Sequence, residues 1–134
     1  MKRLLFLIAA VLFLVACEQQ RSRPDSPEAT AVQFVEGALK GDYKWSRELM
    51  LADSINNYEL DLLEKKYNTE MSAGEKENYR KSKVRIYTVE AVKEDSIYVI
   101  TYANTYKNKK MPIKVVKKDD KWQVDLNYTF TGNL

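Results

Sequence analysis

Apolar residues follow three rhythms along this chain: an unbroken run, then helical spacing, then alternation. The run is Leu4 to Ala16, LLFLIAAVLFLVA, which carries no charge and sits behind Lys2 and Arg3. Its thirteen residues are too few for a membrane span, which needs about 20, and they match the apolar region of a secretory signal. From Ser26 the spacing becomes helical. Ser26 suits an N-cap, Pro27 the first helical position and Glu28 the positive helix start. Ala31, Phe34, Val35 and Ala38 then recur on one face, with Val32 and Leu39 at its flanks and a stop at Gly41. Asp42 caps a predicted second helix to about Leu51, with Tyr43, Trp45 and Leu49 as its apolar contacts. A third helix is predicted from Asp53, with Ile55, Tyr58, Leu62, Leu63 and Tyr67 as its buried stripe. Ser72 and Glu75 have the spacing of a capping box. The KENYRKSK behind them has little to bury, so this segment reads as a short exposed helix or an ordered loop.

After Lys83 the period changes to two. Val84 and Ile86 alternate, then the apolar phase slips to Val89 and Ala91, the mark of a bulge. Ile97 to Ala103 is β-branched and aromatic on both faces, as a central strand is. Met111 to Lys118 carries Ile113 and Val115, with Pro112 allowed at a strand start or an edge. Trp122, Val124 and Leu126 alternate, and Tyr128 and Phe130 continue that face. The connections at Glu94-Asp95, Lys107 to Lys110 and Asp119-Asp120 are short, which favours an antiparallel meander. The predicted class is α+β, with N-terminal helices packed on an antiparallel sheet of about four strands.

One stretch carries a family resemblance. SPEATAVQFVEGALKGDYKWSRELM resembles the opening of the nuclear transport factor 2-like superfamily, and Lys121-Trp122-Gln123-Val124 resembles its closing strand. The likeness is strongest to small bacterial lipoproteins of unknown function with lumazine-binding-like or SnoaL-like domains, and covers roughly residues 26 to 130. It implies a curved sheet wrapped around helices, a cystatin-like cone that often encloses a pocket. Some members of the superfamily are isomerases, cyclases or dehydratases working through an Asp, His or Tyr inside that cone.

Cys17 is the single cysteine. Leu14-Val15-Ala16-Cys17 resembles the bacterial lipobox, which implies cleavage after Ala16 and a diacylglyceryl thioether on Cys17. A catalytic thiolate needs a paired base, and the chain has no histidine. The expected organisation is a lipoprotein signal over 1–16, a lipidated cysteine and flexible tether over 17–25, and a single α+β domain over 26–134. The tether, EQQRSRPD after the cysteine, has eight residues without an apolar side chain, giving an r.m.s. reach of about 15 Å and a maximum near 26 Å. Glu18 in place of aspartate, by resemblance to enterobacterial sorting, implies the outer membrane, and the lack of an acidic run after Cys17 favours its periplasmic side.

Charge narrows the partners. Loss of Lys2 and Arg3 with the signal takes 22 basic residues to 20, against 19 acidic, so the mature chain has a net charge of +1. That is no basis for binding nucleic acid, where a domain-wide basic excess is expected. The expected partners are the membrane, through the lipid, and an envelope protein or small ligand. No cofactor is called for. Zinc favours Cys and His ligands, no calcium-loop motif occurs, and four glycines form no phosphate-binding loop.

The remaining candidates are weak chemically and distinct physically. Asp125 and Glu90 are carboxylates within apolar strands, but Gln123, Asp125 and Asn127 share a polar face of the kind usually solvated. No catalytic residue is therefore assigned. Tyr98, Tyr102 and Tyr106 recur on one face of an extended strand, as packing residues or as the lining of a flat ligand site. Tyr98, Tyr102 and Trp122 are the candidate ligand surface. KNKKMPIKVVKKDDK holds seven lysines. Lys109, Lys110, Lys117 and Lys118 are candidates for contact with anionic headgroups, or else guards, with Pro112, of an edge hairpin. The expected function is a non-catalytic, lipid-anchored envelope binding or accessory module. The alternatives are a small cone-fold isomerase or dehydratase and a structural lipoprotein without a pocket.

Overall fold

The computed structural model describes residues 21–132, so Cys17 and the predicted signal lie outside the described residues. Helices α1 (Pro27–Leu39), α2 (Tyr43–Glu48), α3 (Ser54–Thr69) and α4 (Ala73–Lys81) precede strands β1 (Val84–Lys93), β2 (Ile97–Asn104), β3 (Met111–Lys118) and β4 (Lys121–Asp125), and α5 (Leu126–Thr131) ends the described chain. The strands form one antiparallel, curved sheet in the order β1-β2-β3-β4. The α+β class and the meander follow the sequence pattern.

Each of the first four helices starts on a side-chain cap. Ser26 accepts from Ala29 N–H, Asp42 from Trp45 N–H, Asp53 from Asn56 N–H and Ser72 from Glu75 N–H, satisfying donors that a helix start otherwise leaves unpaired. Glu75 returns a bond from the Ser72 N–H, completing the capping box, and residues 73–81 are a helix. Between α1 and α2 the chain reverses at Gly41, whose φ of +77° suits a residue without Cβ. Asp42 N–H reaches back to the Gly37 carbonyl at 2.8 Å, and Gly41 N–H to Ala38 at 3.1 Å. A Cβ on Gly41 would lie 2.7 Å from the Tyr67 ring, so the reversal also seats α3.

The core lies between the helices and one sheet face. Leu49, Leu60, Ile100, Ile113, Val115 and Val124 are fully buried there, joined by Ala31, Phe34, Val35, Met50, Trp122 and Leu126. The phase slip in β1 is a bulge between Ile86 and Thr88, and Pro112 stands near the start of β3, as expected. Asp119 and Asp120, both at positive φ, make the tight reversal from β3 to β4.

Four expectations need correction. In α3, Ile55, Tyr58 and Leu62 are exposed, and the buried face runs through Asn56 and Leu60 to the partly buried Leu63 and Tyr67. The expected stripe is displaced because the buried position 56 is polar. Leu126, Tyr128 and Phe130 do not extend β4; they lie in α5, and Phe130 is exposed. The lysine-bearing strand is not itself an edge strand: β3 lies between β2 and β4, and the edge of that hairpin is β4. Finally, residues 21–25 are not a free tether. Arg23 donates to the carbonyls of Glu48 at 2.7 Å and Trp122 at 3.2 Å, Arg21 pairs with Asp42, and Pro24 is buried.

Candidate functional site

Helices α1 and α2 approach so closely that a Cβ on Gly37 would lie 2.6 Å from Ser46 Oγ. Ser46 is itself buried and donates to the Phe34 carbonyl at 2.8 Å. Above this contact lies an open groove of about 490 Å³, lined by Arg21, Gln33, Glu36, Gly37, Lys40, Asp42 and Trp45. Arg21 crosses it from the N-terminal segment. Its Nη1 lies 2.7 Å from Asp42 Oδ2, and its guanidinium sits 5.3 Å from the Trp45 ring centroid. The groove thus offers an aromatic wall, two cations and two carboxylates. Such a set can hold a flat, polar ligand by stacking and ion pairing. It holds no nucleophile paired with a base.

Sequence reasoning missed this groove. Trp45 reads as an apolar contact of the second helix, and Arg21 as part of a tether. The signal that could have found it is the pair of arginines, Arg21 and Arg23, in an otherwise featureless linker.

The aromatic residues singled out in the sequence are brought together in part. Tyr98 and Trp122 pack edge to face at 5.5 Å, and Trp122 is 8 % exposed, with Lys117 Nζ at 5.6 Å from its ring. Tyr102 shares their face of the sheet, and all three pack with the core. Burial pushes the Tyr102 phenol up to about 12. Tyr106 is elsewhere, in the turn after β2 and edge-on to Tyr79 at 4.9 Å. These rings spend their surface on each other and on aliphatic neighbours.

The four lysines do not form one patch. Lys109 and Lys110 precede β3 while Lys117 and Lys118 end it, so the pairs stand about 23 Å apart along the strand. Lys110 also lies over the Tyr87 ring at 4.2 Å. Glu90 is exposed on β1.

Asp125 is neither solvated nor free. Lys114, 8 % exposed, reaches its Oδ2 at 3.2 Å, and Asn56 Nδ2 donates to Oδ1 at 3.3 Å. The buried Asn56 uses its full hydrogen-bonding capacity. Its other amide proton goes to Asp53 at 2.8 Å, and its oxygen accepts the N–H groups of Leu126 at 2.6 Å and Asn127 at 3.2 Å. The Asn56 N–H, foremost, holds the Asp53 carboxyl below its ordinary value. This network fixes the start of α5 from 70 residues away. Asp125 therefore has a structural task here, and the polar face expected to be solvated is partly closed.

Among the described residues no group of three or more His, Cys, Asp or Glu could hold a metal ion, and no helix is long and apolar enough to cross a membrane. Comparison of the chain with protein-family models, curated proteins and solved structures returns no match.

Proposed function

We propose that this chain is a lipid-anchored, non-catalytic module of the bacterial cell envelope, on the periplasmic side of the outer membrane, that binds an envelope protein or a small ligand. The observation that carries the reading is Cys17 directly behind an uncharged run of thirteen residues that ends in Leu14-Val15-Ala16. A thioether-linked diacylglycerol supplies two chains, and two chains give a lasting anchor where one does not. The groove beside Trp45 and Arg21 is the candidate binding site. With Arg21 docked, only Glu18, Gln19 and Gln20 separate the cysteine from the folded domain, a span of at most about 14 Å.

A nuclear transport factor 2-like cone belongs to the same proposal, supported by the order of helices before a curved sheet with one covered face. The competing isomerase or dehydratase would need an acid or base inside that cone. The side chains packed there are chiefly Leu49, Leu60, Ile100, Ile113, Val115 and Val124. Of the tyrosines beside them, Tyr98 packs on Trp122 and burial pushes the Tyr102 phenol up to about 12, and the Asp125 carboxylate is engaged by Lys114 and Asn56.

The test is a Cys17→Ser precursor expressed beside the parent chain with a radiolabelled fatty acid. The parent should carry label and sediment with membranes. The variant should lose label and move to the soluble fraction or remain unprocessed. Membrane association unchanged in an unlabelled variant would overturn the anchor.

A further inference from the structure

Strand β1 is ten residues long and forms one edge of the sheet, yet all but its first residue are exposed. Ile86, Tyr87, Val89 and Val92 are 36, 45, 39 and 46 % exposed. An edge of this kind invites a further strand unless lysines, proline or a distorting bulge block it. β1 contains no proline, and its single lysine, Lys93, is at the end. Of those devices it carries only irregularities of register, between Ile86 and Thr88 and between Ala91 and Lys93, and the first of these sets the pairing register of the strand.

The backbone directions follow from two hydrogen bonds. Thr105 N–H donates to the Lys83 carbonyl at 2.9 Å, and Lys117 N–H donates to the Ser96 carbonyl at 2.8 Å. Alternation therefore turns the odd-numbered residues of β2 toward β1 and the even-numbered ones toward β3. Ala103, Thr101 and Val99 lie opposite Arg85, Thr88 and Glu90, whose backbone groups are thereby engaged. The backbone groups of Val84, Ile86, Val89 and Ala91 point to the free edge. These four stand opposite Asn104, Tyr102, Ile100 and Tyr98, on the helix-covered face of the sheet, while Arg85 and Glu90 share the other face.

We propose that β1 is a self-association edge, pairing antiparallel with β1 of a second copy about a two-fold axis between Tyr87 and Thr88. In that register Ile86 lies opposite the partner's Val89 and Val84 opposite the partner's Ala91, as hydrogen-bonded pairs with matching apolar faces. Arg85 lies opposite the partner's Glu90, in the non-hydrogen-bonded position where side chains approach most closely. Symmetry makes each contact twice. Neither Arg85 nor Glu90 forms an ion pair among the described residues. The bulge makes this register possible. Residues 85 and 90 differ by an odd number and would face opposite ways in a regular strand, but the extra residue between Ile86 and Thr88 brings them to one face. Sliding the pairing by two residues sets Arg85 against Val92 or Thr88 and loses both ion pairs. The two sheets join into one of eight strands, and Ile86 and Val89 of both copies form a continuous apolar row.

The experiment measures sedimentation of the full chain in detergent micelles for the parent, Arg85→Glu, Glu90→Arg, and the double exchange. Both sites are exposed, and circular dichroism confirms the fold of each variant. The parent should dimerise with concentration. Each single variant places like charges opposite each other twice and should raise the dimer dissociation constant roughly tenfold or more. A mixture of the two single variants should form a heterodimer, and the double exchange should restore self-association. A parent that stays monomeric overturns the proposal and leaves the edge to a strand of another protein. Single variants that dimerise like the parent, or a mixture that associates no better than either variant alone, overturn it equally.

Discussion

At the β4 edge, Leu49 and Leu51 flank the strand: Val124 N–H donates to Leu49 at 2.8 Å, and Leu51 N–H donates to Val124 at 2.9 Å. Asn56, Asp53, Lys114 and Asp125 then lock the end of that strand to α3 and α5. At the β1 edge, Arg85 and Glu90 carry no ion pair among the described residues, and apolar side chains stand in solvent. The first edge is closed by segments far apart in sequence, with the polar atoms of Asn56, Asp53, Lys114 and Asp125 matched to one another. Burying polar groups is tolerable only on that condition, because an unmatched one costs about 1–3 kcal/mol. The open edge keeps its polar groups in water, where they cost little until a complementary strand arrives.

That contrast can be broken first at Asn56. Asn56→Ala strands the N–H groups of Leu126 and Asn127 and removes a donor from both Asp53 and Asp125, so stability should fall by about 3 kcal/mol. Urea unfolding would measure it, and a loss below about 1 kcal/mol would mean that the network does not close this edge.

Tyr102 gives a second, smaller handle. Its folded value is raised to about 12, so between its ordinary value near 10 and 12 the unfolded chain releases a proton that the folded chain keeps. Stability is therefore full below about pH 10 and declines as pH rises toward 12, by about 2 kcal/mol from this residue. Tyr43, raised to about 12 chiefly by burial, adds a decline of the same sign. Tyr102→Phe should flatten the alkaline decline relative to the parent; identical slopes between pH 10 and 12 would remove Tyr102 as its source.

The smallest effect belongs to the open edge. Val89→Thr, measured where the chain is monomeric, should alter stability by no more than about 0.5 kcal/mol, because the side chain is exposed. A loss near that of Asn56→Ala would show that β1 is covered after all.

Much of this architecture is legible locally. The caps at Ser26, Asp42, Asp53 and Ser72, the glycine stop at position 41 and the slip in β1 each depend on residues within a few positions of one another. What is not legible depends on distant partners. Asn56 reads as a surface residue of α3, and only Asp125 and the start of α5 make it a buried one. Leu126, Tyr128 and Phe130 keep a strand's alternation, yet α5 starts there because the Asn56 oxygen accepts its first N–H groups. The lysines of 107–121 are conspicuous in sequence, but strand order decides whether they guard an edge, and sequence does not state strand order. The groove was hidden for the same reason, since Arg21 joins it by reaching Asp42 and Trp45 across more than twenty residues.

If Cys17 carries the lipid we propose, the docked arginines have one further consequence. With residues 21–25 held against the domain, the reach from Cys17 falls from about 26 Å to about 14 Å, and the volume the domain can sample shrinks by roughly six- to eightfold. On that proposal, effective concentration would rise by the same factor for anything at the bilayer surface. A partner anchored in the same leaflet would meet this domain as a near-fixed neighbour, and one free in the aqueous space would gain nothing.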